Sequence, residues 1–367
     1  MPLGKFGKTN MVNLQFYKGK KVLITGHTGF KGAWLCKLLV KYGACVIGYA
    51  LQPPTTPSLF ELSGIEKEIK SYIGDIRDFD SLFKVFEIEK PEIVIHMAAQ
   101  PLVRDSYLEP KYTYEVNVIG TVNVLECVRR TQSVKSFLNV TTDKVYLNED
   151  APNHPFKEEE PLDGYDPYSN SKSCSELVTH SYKKSFFKDG GCAISTARAG
   201  NVLGGGDFAK DRIIPDCIRA IKNNTKLIVR NPNSTRPYQH VLEPLVVYLE
   251  ICEKQYNDRN YEGYYNVGPD VEDCINTGEL VKKFANEFNG SFEYEIHQDT
   301  SAPHEASFLM LNTSKIKKVF NWKPRWHIDD CVKKIVEWLN VYLNNPKAIP
   351  ELMNKEIEEF VGGKSNA

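Results

Sequence analysis

Paired cysteines, long apolar runs and an excess of either charge are all missing from this chain of 367 residues. Its nine cysteines are odd in number, scattered from Cys36 to Cys331, and never in a Cys-x-x-Cys spacing. That excludes a zinc ribbon or a disulfide framework, leaves no metal to expect, and points to a reducing cytoplasm. With 46 basic against 47 acidic residues the net charge is −1, so there is no bulk attraction to nucleic acid or to an anionic membrane. No stretch is apolar enough to span a bilayer. Residues 1–15 lack the hydrophobic block of a signal peptide and read as a flexible extension. Internal repeats and low-complexity tracts are absent too. What is left is a chain long enough to bury a large core.

The first positive signal is a glycine-rich turn. Lys20 to Thr25 is a short apolar run of strand character, and Gly26-His27-Thr28-Gly29-Phe30-Lys31-Gly32 follows at once. Ala33 to Leu39 then has helical periodicity. Gly26 and Gly29 allow a tight turn and close approach of backbone to a pyrophosphate, and Gly32 lets the helix pack on the strand. The helix N-terminus offers free N–H groups and a partial positive charge. The whole loop, with His27, Phe30 and Lys31, is therefore a dinucleotide site.

Strand and helix alternate for the first two hundred residues, which predicts an α/β fold, a doubly wound parallel sheet of Rossmann type. Expected strands lie at 44–49, 71–74, 92–97, 136–140 and 192–198, with one long helix over 111–130. We expect the nucleotide-binding domain to cover 16–203, a smaller substrate-binding lobe to draw mainly on 204–350 with some segments returning to the first domain, and 351–367 to form a polar tail. Thr142, Asp143 and Lys144 fall just past a strand end, the edge where open parallel sheets bind ligands. Tyr168 and Lys172, four apart, share one helix face. In that arrangement the ammonium lowers the phenol's pKa and makes it a base toward a sugar hydroxyl. Asp143 and Lys144 add a second acid–base pair, one more than a simple alcohol oxidation needs.

Six phrases in order carry a resemblance to a known family. They run Thr25–Gly32, His96–Arg104, Gly164–Lys172, Arg198–Asp207, Arg236–Pro244 and Pro303–Ala306. Together they resemble the extended short-chain dehydrogenase/reductase family, within it the nucleotide-sugar 4,6-dehydratases, and among those the members acting on CDP-glucose. The resemblance implies an NAD-dependent lyase for a small nucleotide-sugar substrate, working as a homodimer. Tyr168 then takes the C4 hydroxyl proton beside Lys172, Thr142 hydrogen-bonds that hydroxyl, Lys144 removes the C5 proton and Asp143 protonates the departing C6 hydroxyl. These roles require a neutral Lys144 and a protonated Asp143, which desolvation favours.

The resemblance also implies that Ala98, Ala99 and Gln100 pass near the cofactor's ribose. Asp75 and Ile76 sit where relatives clasp the adenine, although Asp75 equally fits a cap for the next helix. Asn201, Arg212 and Arg236 are the expected holders of the substrate diphosphate, since guanidinium forks match phosphate oxygens. His304 is counted with them, while His240 and His304 both also suit a core role. The second strand ends Tyr49-Ala50-Leu51-Gln52 with neither an acid for ribose hydroxyls nor an arginine for a 2′-phosphate. The choice of NAD over NADP thus rests on the resemblance.

Overall fold

The computed structural model describes residues 12–149, 153–288, 290, 292–297 and 308–362. Seven parallel strands form the central sheet: β1 (Lys21–Thr25), β2 (Cys45–Ala50), β3 (Lys70–Ile73), β4 (Ile93–His96), β5 (Ser136–Thr142), β6 (Ala193–Ala199) and β7 (Tyr264–Val267). Their spatial order is β7-β6-β5-β4-β1-β2-β3. The order reverses between β1 and β4, so a crevice opens above the C-terminal ends of those strands. Side chains alternate across the sheet: Val22 and Ile24 enter one apolar cluster and Leu23 the other. Helices α1 (Phe30–Lys41), α6 (Leu242–Asn257) and α9 (Ile349–Gly362) cover the first face; α2 (Phe79–Glu89), α3 (Gly120–Arg130) and α4 (Pro167–Phe186) cover the second.

A second lobe packs around its own core, supplied by α5 (Ile213–Asn223), α7 (Thr277–Phe288) and α8 (Ile328–Asn344) with Leu203, Val229 and Tyr238. Residues beyond 203 divide between the two cores. The chain enters the second lobe after β6, returns through α6 and β7, leaves again, and comes back with Ile316 and Phe320 against the first core. On its return β7 extends the sheet beyond β6, in register Tyr264↔Thr196 through Val267↔Ala199.

Both ends of the chain differ from expectation where they are described. Val12 and Leu14 are buried, and the Asn13 N–H donates to Glu253 at 3.2 Å, so the segment from Val12 docks on α6. Residues 1–11 lie outside the described residues. The expected polar tail is largely α9, which puts Ile349, Met353, Ile357 and Phe360 into the core at helical spacing. The helix expected over 111–130 is also interrupted. It runs Pro110–Tyr114, a π turn at Glu115–Ile119, then α3. Among the described residues no helix is long and apolar enough to cross a membrane.

Docking of α9 buries Glu356, and neither carboxyl oxygen has a hydrogen-bond partner. Burial, with help from Glu337 and Glu359, pushes its pKa up to about 8, and burial raises Glu243 to about 7. Both groups hold their protons more tightly in the folded chain than in the unfolded one. Their favourable contribution is complete below the ordinary value of 4.5 and is lost as pH rises through about 7 and then about 8. Melting temperature should therefore fall between pH 5 and pH 9. Glu356→Gln should flatten that slope and raise the melting temperature at pH 8.5 by ~3 °C; scanning calorimetry across the range reads both effects.

Candidate active site

The glycine turn takes the form its residues dictate. Gly26 has φ +80°, and a Cβ there would lie 2.8 Å from the Ala98 nitrogen, so the turn can pass the end of β4 only as glycine. Gly29 is the N-cap of α1, with no side-chain cap and no acidic residue in the first turn. Its N-terminal N–H groups are thus left for an anion. At Gly32 a Cβ would stand 2.2 Å from the Gly26 carbonyl oxygen and 2.6 Å from His27 Cα. Gly32→Ala should accordingly push α1 off the turn, costing about 1–3 kcal/mol of stability. Dinucleotide affinity should weaken at least tenfold, which calorimetric titration and melting curves would measure.

The side chains of that loop have separate fates. The His27 ring points into the fold, where Nε2 meets Ser71 Oγ at 2.7 Å and the ring fills the space of a Gly48 Cβ. Burial lowers its pKa to about 4, so only its backbone is left for a cofactor. Phe30 lies against the Gly204 position. Lys31 donates to Tyr248 Oη at 3.4 Å, and burial, then the charges of Lys172 and Arg212, lower it to about 7.

Asp75 is not the helix cap. Asp78 caps α2 through Ser81, while Asp75 pairs with Arg77 at 2.7 Å. Arg77 in turn holds Glu115 at 3.0 Å and lies over the Tyr112 ring. That guanidinium is thus paired with two carboxylates. Ile76 is buried in the space that Gly120 leaves open.

Ala98 and Ala99 are half-buried at the end of β4, and the Ala98 N–H donates to Thr25 Oγ1 at 3.1 Å. Gln100 is fixed within the fold. Its N–H donates to Asn117 Oδ1 at 2.9 Å and its amide nitrogen to Thr113 Oγ1 at 2.9 Å. Asn117, centred in the π turn, also donates to Ser171 on α4 at 2.9 Å. The interruption of the long helix therefore ties the cofactor edge to the helix bearing Tyr168 and Lys172.

Helix α4 begins at a strong local signal. Asp166 caps it by accepting from the Ser169 N–H at 3.0 Å, and Pro167 occupies the first turn. Tyr168 and Lys172 follow one turn apart, facing the end of β5. There Thr142 caps a short turn, Asp143–Val145, and donates to Asp143 Oδ1 at 2.9 Å. Asp143 is buried, its Oδ2 has no partner, and burial raises its pKa against the pull of Lys144, Thr142 and Arg236. Lys144 is half-buried beside it.

The expected lowering of the tyrosine pKa is not what this geometry produces. Burial takes Tyr168 up to about 12, opposed by a hydrogen bond with Thr142. Lys172 is buried as well, donates to the Val140 carbonyl at 3.2 Å, and falls to about 8. In the crevice desolvation is the largest influence on both groups.

The second lobe brings two arginines to this edge. Arg212, at the N-cap of α5, pairs with buried Asp207 at 2.9 Å and acts on both Lys31 and Tyr168. Arg236 is buried in the strand Thr235–Pro237, donates to the Thr235 carbonyl at 2.9 Å, and acts on Asp143. Asn201 accepts from the Gln239 N–H at 3.1 Å through its carbonyl. His240 belongs to the core, wedged edge-on between Trp34 and Trp326 with its pKa down to about 3. His304 lies outside the described residues. The sequence reading missed Tyr248 under Lys31, Asp207 behind Arg212, and Glu176 behind Lys172. Only Glu176 had a local signal, its four-residue spacing from the lysine.

Comparisons with known proteins agree with this layout. The family model described as GDP-mannose 4,6 dehydratase matches residues 23–335. A CDP-glucose 4,6-dehydratase of Salmonella typhimurium is 44% identical over 339 residues, 91% of this chain and 94% of that protein. A human dTDP-D-glucose 4,6-dehydratase is 27% identical over 93% of this chain and 95% of its own length. Among solved structures, dTDP-glucose 4,6-dehydratase from Bacillus anthracis in complex with NAD superposes with TM-score 0.72 at 22% identity, covering 90% of this chain and 98% of its own.

Proposed function

The chain belongs to the GDP-mannose 4,6-dehydratase family, and on that premise we propose that it converts CDP-glucose to CDP-4-dehydro-6-deoxyglucose with NAD. The observation that carries the reading is the buried turn Thr142-Asp143-Lys144 at the mouth of Tyr168 and Lys172, with one Asp143 oxygen unpartnered. Oxidation and re-reduction at C4 alone would need only the hydroxyl-handling group; the added acid–base pair suits elimination.

The glycine turn fits the dinucleotide, and the double neutralisation of Arg77 fits NAD better than a cofactor bearing a 2′-phosphate. NAD held at the glycine turn would supply the two-electron acceptor for the C4 hydride and the source of the hydride delivered to C6, and its cationic ring would favour the ionised phenol. Tyr168 takes the C4 hydroxyl proton, and Thr142 holds that hydroxyl in line. With C4 oxidised, the C5 proton becomes acidic, and Lys144 removes it. Asp143 delivers its proton to the C6 oxygen as water leaves. Burial raises the pKa of that carboxyl, the direction a general acid needs. Arg212, Arg236 and Asn201 hold the diphosphate. We place His304 with the substrate by family pattern alone. We further propose a cytoplasmic homodimer, supported by the scattered reduced cysteines and by exposed Ile119 and Leu177 on the helices flanking the site.

Incubation with CDP-glucose tests the reading. Loss of one water by mass spectrometry is expected, with solvent deuterium entering at C5; inversion at C4 without a mass change would identify a 4-epimerase instead. UDP-, dTDP- and GDP-sugars in parallel set the base preference. In Asp143→Asn, exchange at C5 should continue while water loss falls about a hundredfold or more. In the unaltered protein, loss of the Asp143 proton at rising pH should slow protonation of the C6 oxygen, and a stopped assay over a pH series follows this.

A further inference from the structure

We propose that Glu176 is a positioning residue for Lys172: its carboxylate ties α4 to β5 and β6 one turn behind the lysine and supplies the fixed negative charge that the ammonium faces. Glu176 is buried and follows Lys172 on the same helix face. Thr141 of β5 donates to Oε1 at 2.5 Å, while Thr196 and Arg198 of β6 donate to Oε2 at 2.8 Å and 3.0 Å. Lys172 itself donates to Val140, the neighbour of Thr141. Two successive turns of α4 are thus pinned to two successive residues of β5, directly below Thr142. Arg198 is fixed in its turn by Tyr146 Oη at 2.9 Å and the Glu158 carbonyl at 3.0 Å.

Stability alone does not account for this arrangement. A buried ion pair loses much of its attraction to desolvation, and apolar side chains of similar size hold elements together as well. What an apolar pair cannot supply is charge beside Lys172. Around Lys172 stand Tyr168 and Glu176 on its own helix, His96 on β4 and Lys31 on α1. Glu176 also faces Arg198, Tyr264 on β7 and His180. Of these, Glu176 is the group that opposes the lowering of Lys172 by burial.

This inference rests on the proposed roles of Tyr168 and Lys172, so the experiment carries a control for them. The single-turnover rate of C4 oxidation would be followed by reduced-cofactor absorbance with NAD and CDP-glucose from pH 6.5 to 10. In Glu176→Gln the alkaline limb should move down by about one pH unit, a roughly tenfold loss at pH 9, with KM within twofold. Arg198→Met, which leaves the carboxylate uncompensated, should move the limb up. Shifts in the same direction, or none, overturn the inference, because a purely structural pair has no reason to move the limb in opposite senses. Circular dichroism checks folding. Should either variant fail to fold, Glu176→Asp and Thr196→Val read the same two signs with smaller amplitude. If Lys172→Met keeps the unaltered rate, the proposed reaction roles fail instead, and the two failures are told apart.

Discussion

Tyr168→Phe is expected to give no reduced-cofactor signal with CDP-glucose, because the C4 hydroxyl then has no group to take its proton. Tyr168 stands in the first turn of α4, hydrogen-bonded to Thr142, and neither Lys144 nor Asp143 replaces it in the proposed scheme. A positioned proton acceptor contributes roughly a hundred- to ten-thousand-fold, and here every later step waits on it. Binding should survive: the glycine turn, Arg212 and Arg236 are untouched, and the ring keeps its packing. Isothermal titration with NAD and nucleotide sugar should match the unaltered protein within a few-fold, while stopped-flow absorbance and C5 exchange both stay flat. Exchange at C5 in this variant would show that C4 oxidation proceeds without the phenol.

The second large effect separates elimination from oxidation. Lys144→Met should still oxidise C4, since Tyr168, Lys172 and Thr142 remain, and reduced cofactor should accumulate where the unaltered enzyme shows little. Abstraction of the C5 proton should drop by about a hundred- to ten-thousand-fold. Methionine keeps the length and apolar stem of lysine at this half-buried position, so the turn Asp143–Val145 should hold its shape. Absorbance and deuterium incorporation at C5 read the two steps separately. If exchange ran at the unaltered rate, Lys144 would lose its role as base, and Asp143 or a bound water would take it.

Much of this could be read from local pattern. Val22, Leu23 and Ile24 before Gly26, and helical periodicity after Gly32, specify a strand, a turn and a helix within twenty residues. Asp166-Pro167 announces the start of α4 and so puts Tyr168 and Lys172 on one face. Such signals are legible because backbone geometry and side-chain periodicity act between near neighbours. The C-terminal segment was legible in part: Ile349, Met353, Ile357 and Phe360 have helix spacing, yet their polar surroundings hid a face that packing against α1 and α8 buries.

Charge state was settled elsewhere. Sequence alone determined the kinds of groups at the site, their order and their spacing on strand end and helix turn. The tertiary structure decided how those groups behave, because desolvation depends on everything packed around a group rather than on its neighbours in the chain. It raised Tyr168 where spacing from Lys172 suggested the reverse, and raised Asp143 by burying it. It turned His27 inward, brought Arg212 and Arg236 from a second lobe, and set Glu176 and Arg198 behind the lysine. Those last contacts join residues far apart in sequence, and no local pattern encodes a contact that exists only once β5, β6 and α4 have packed together.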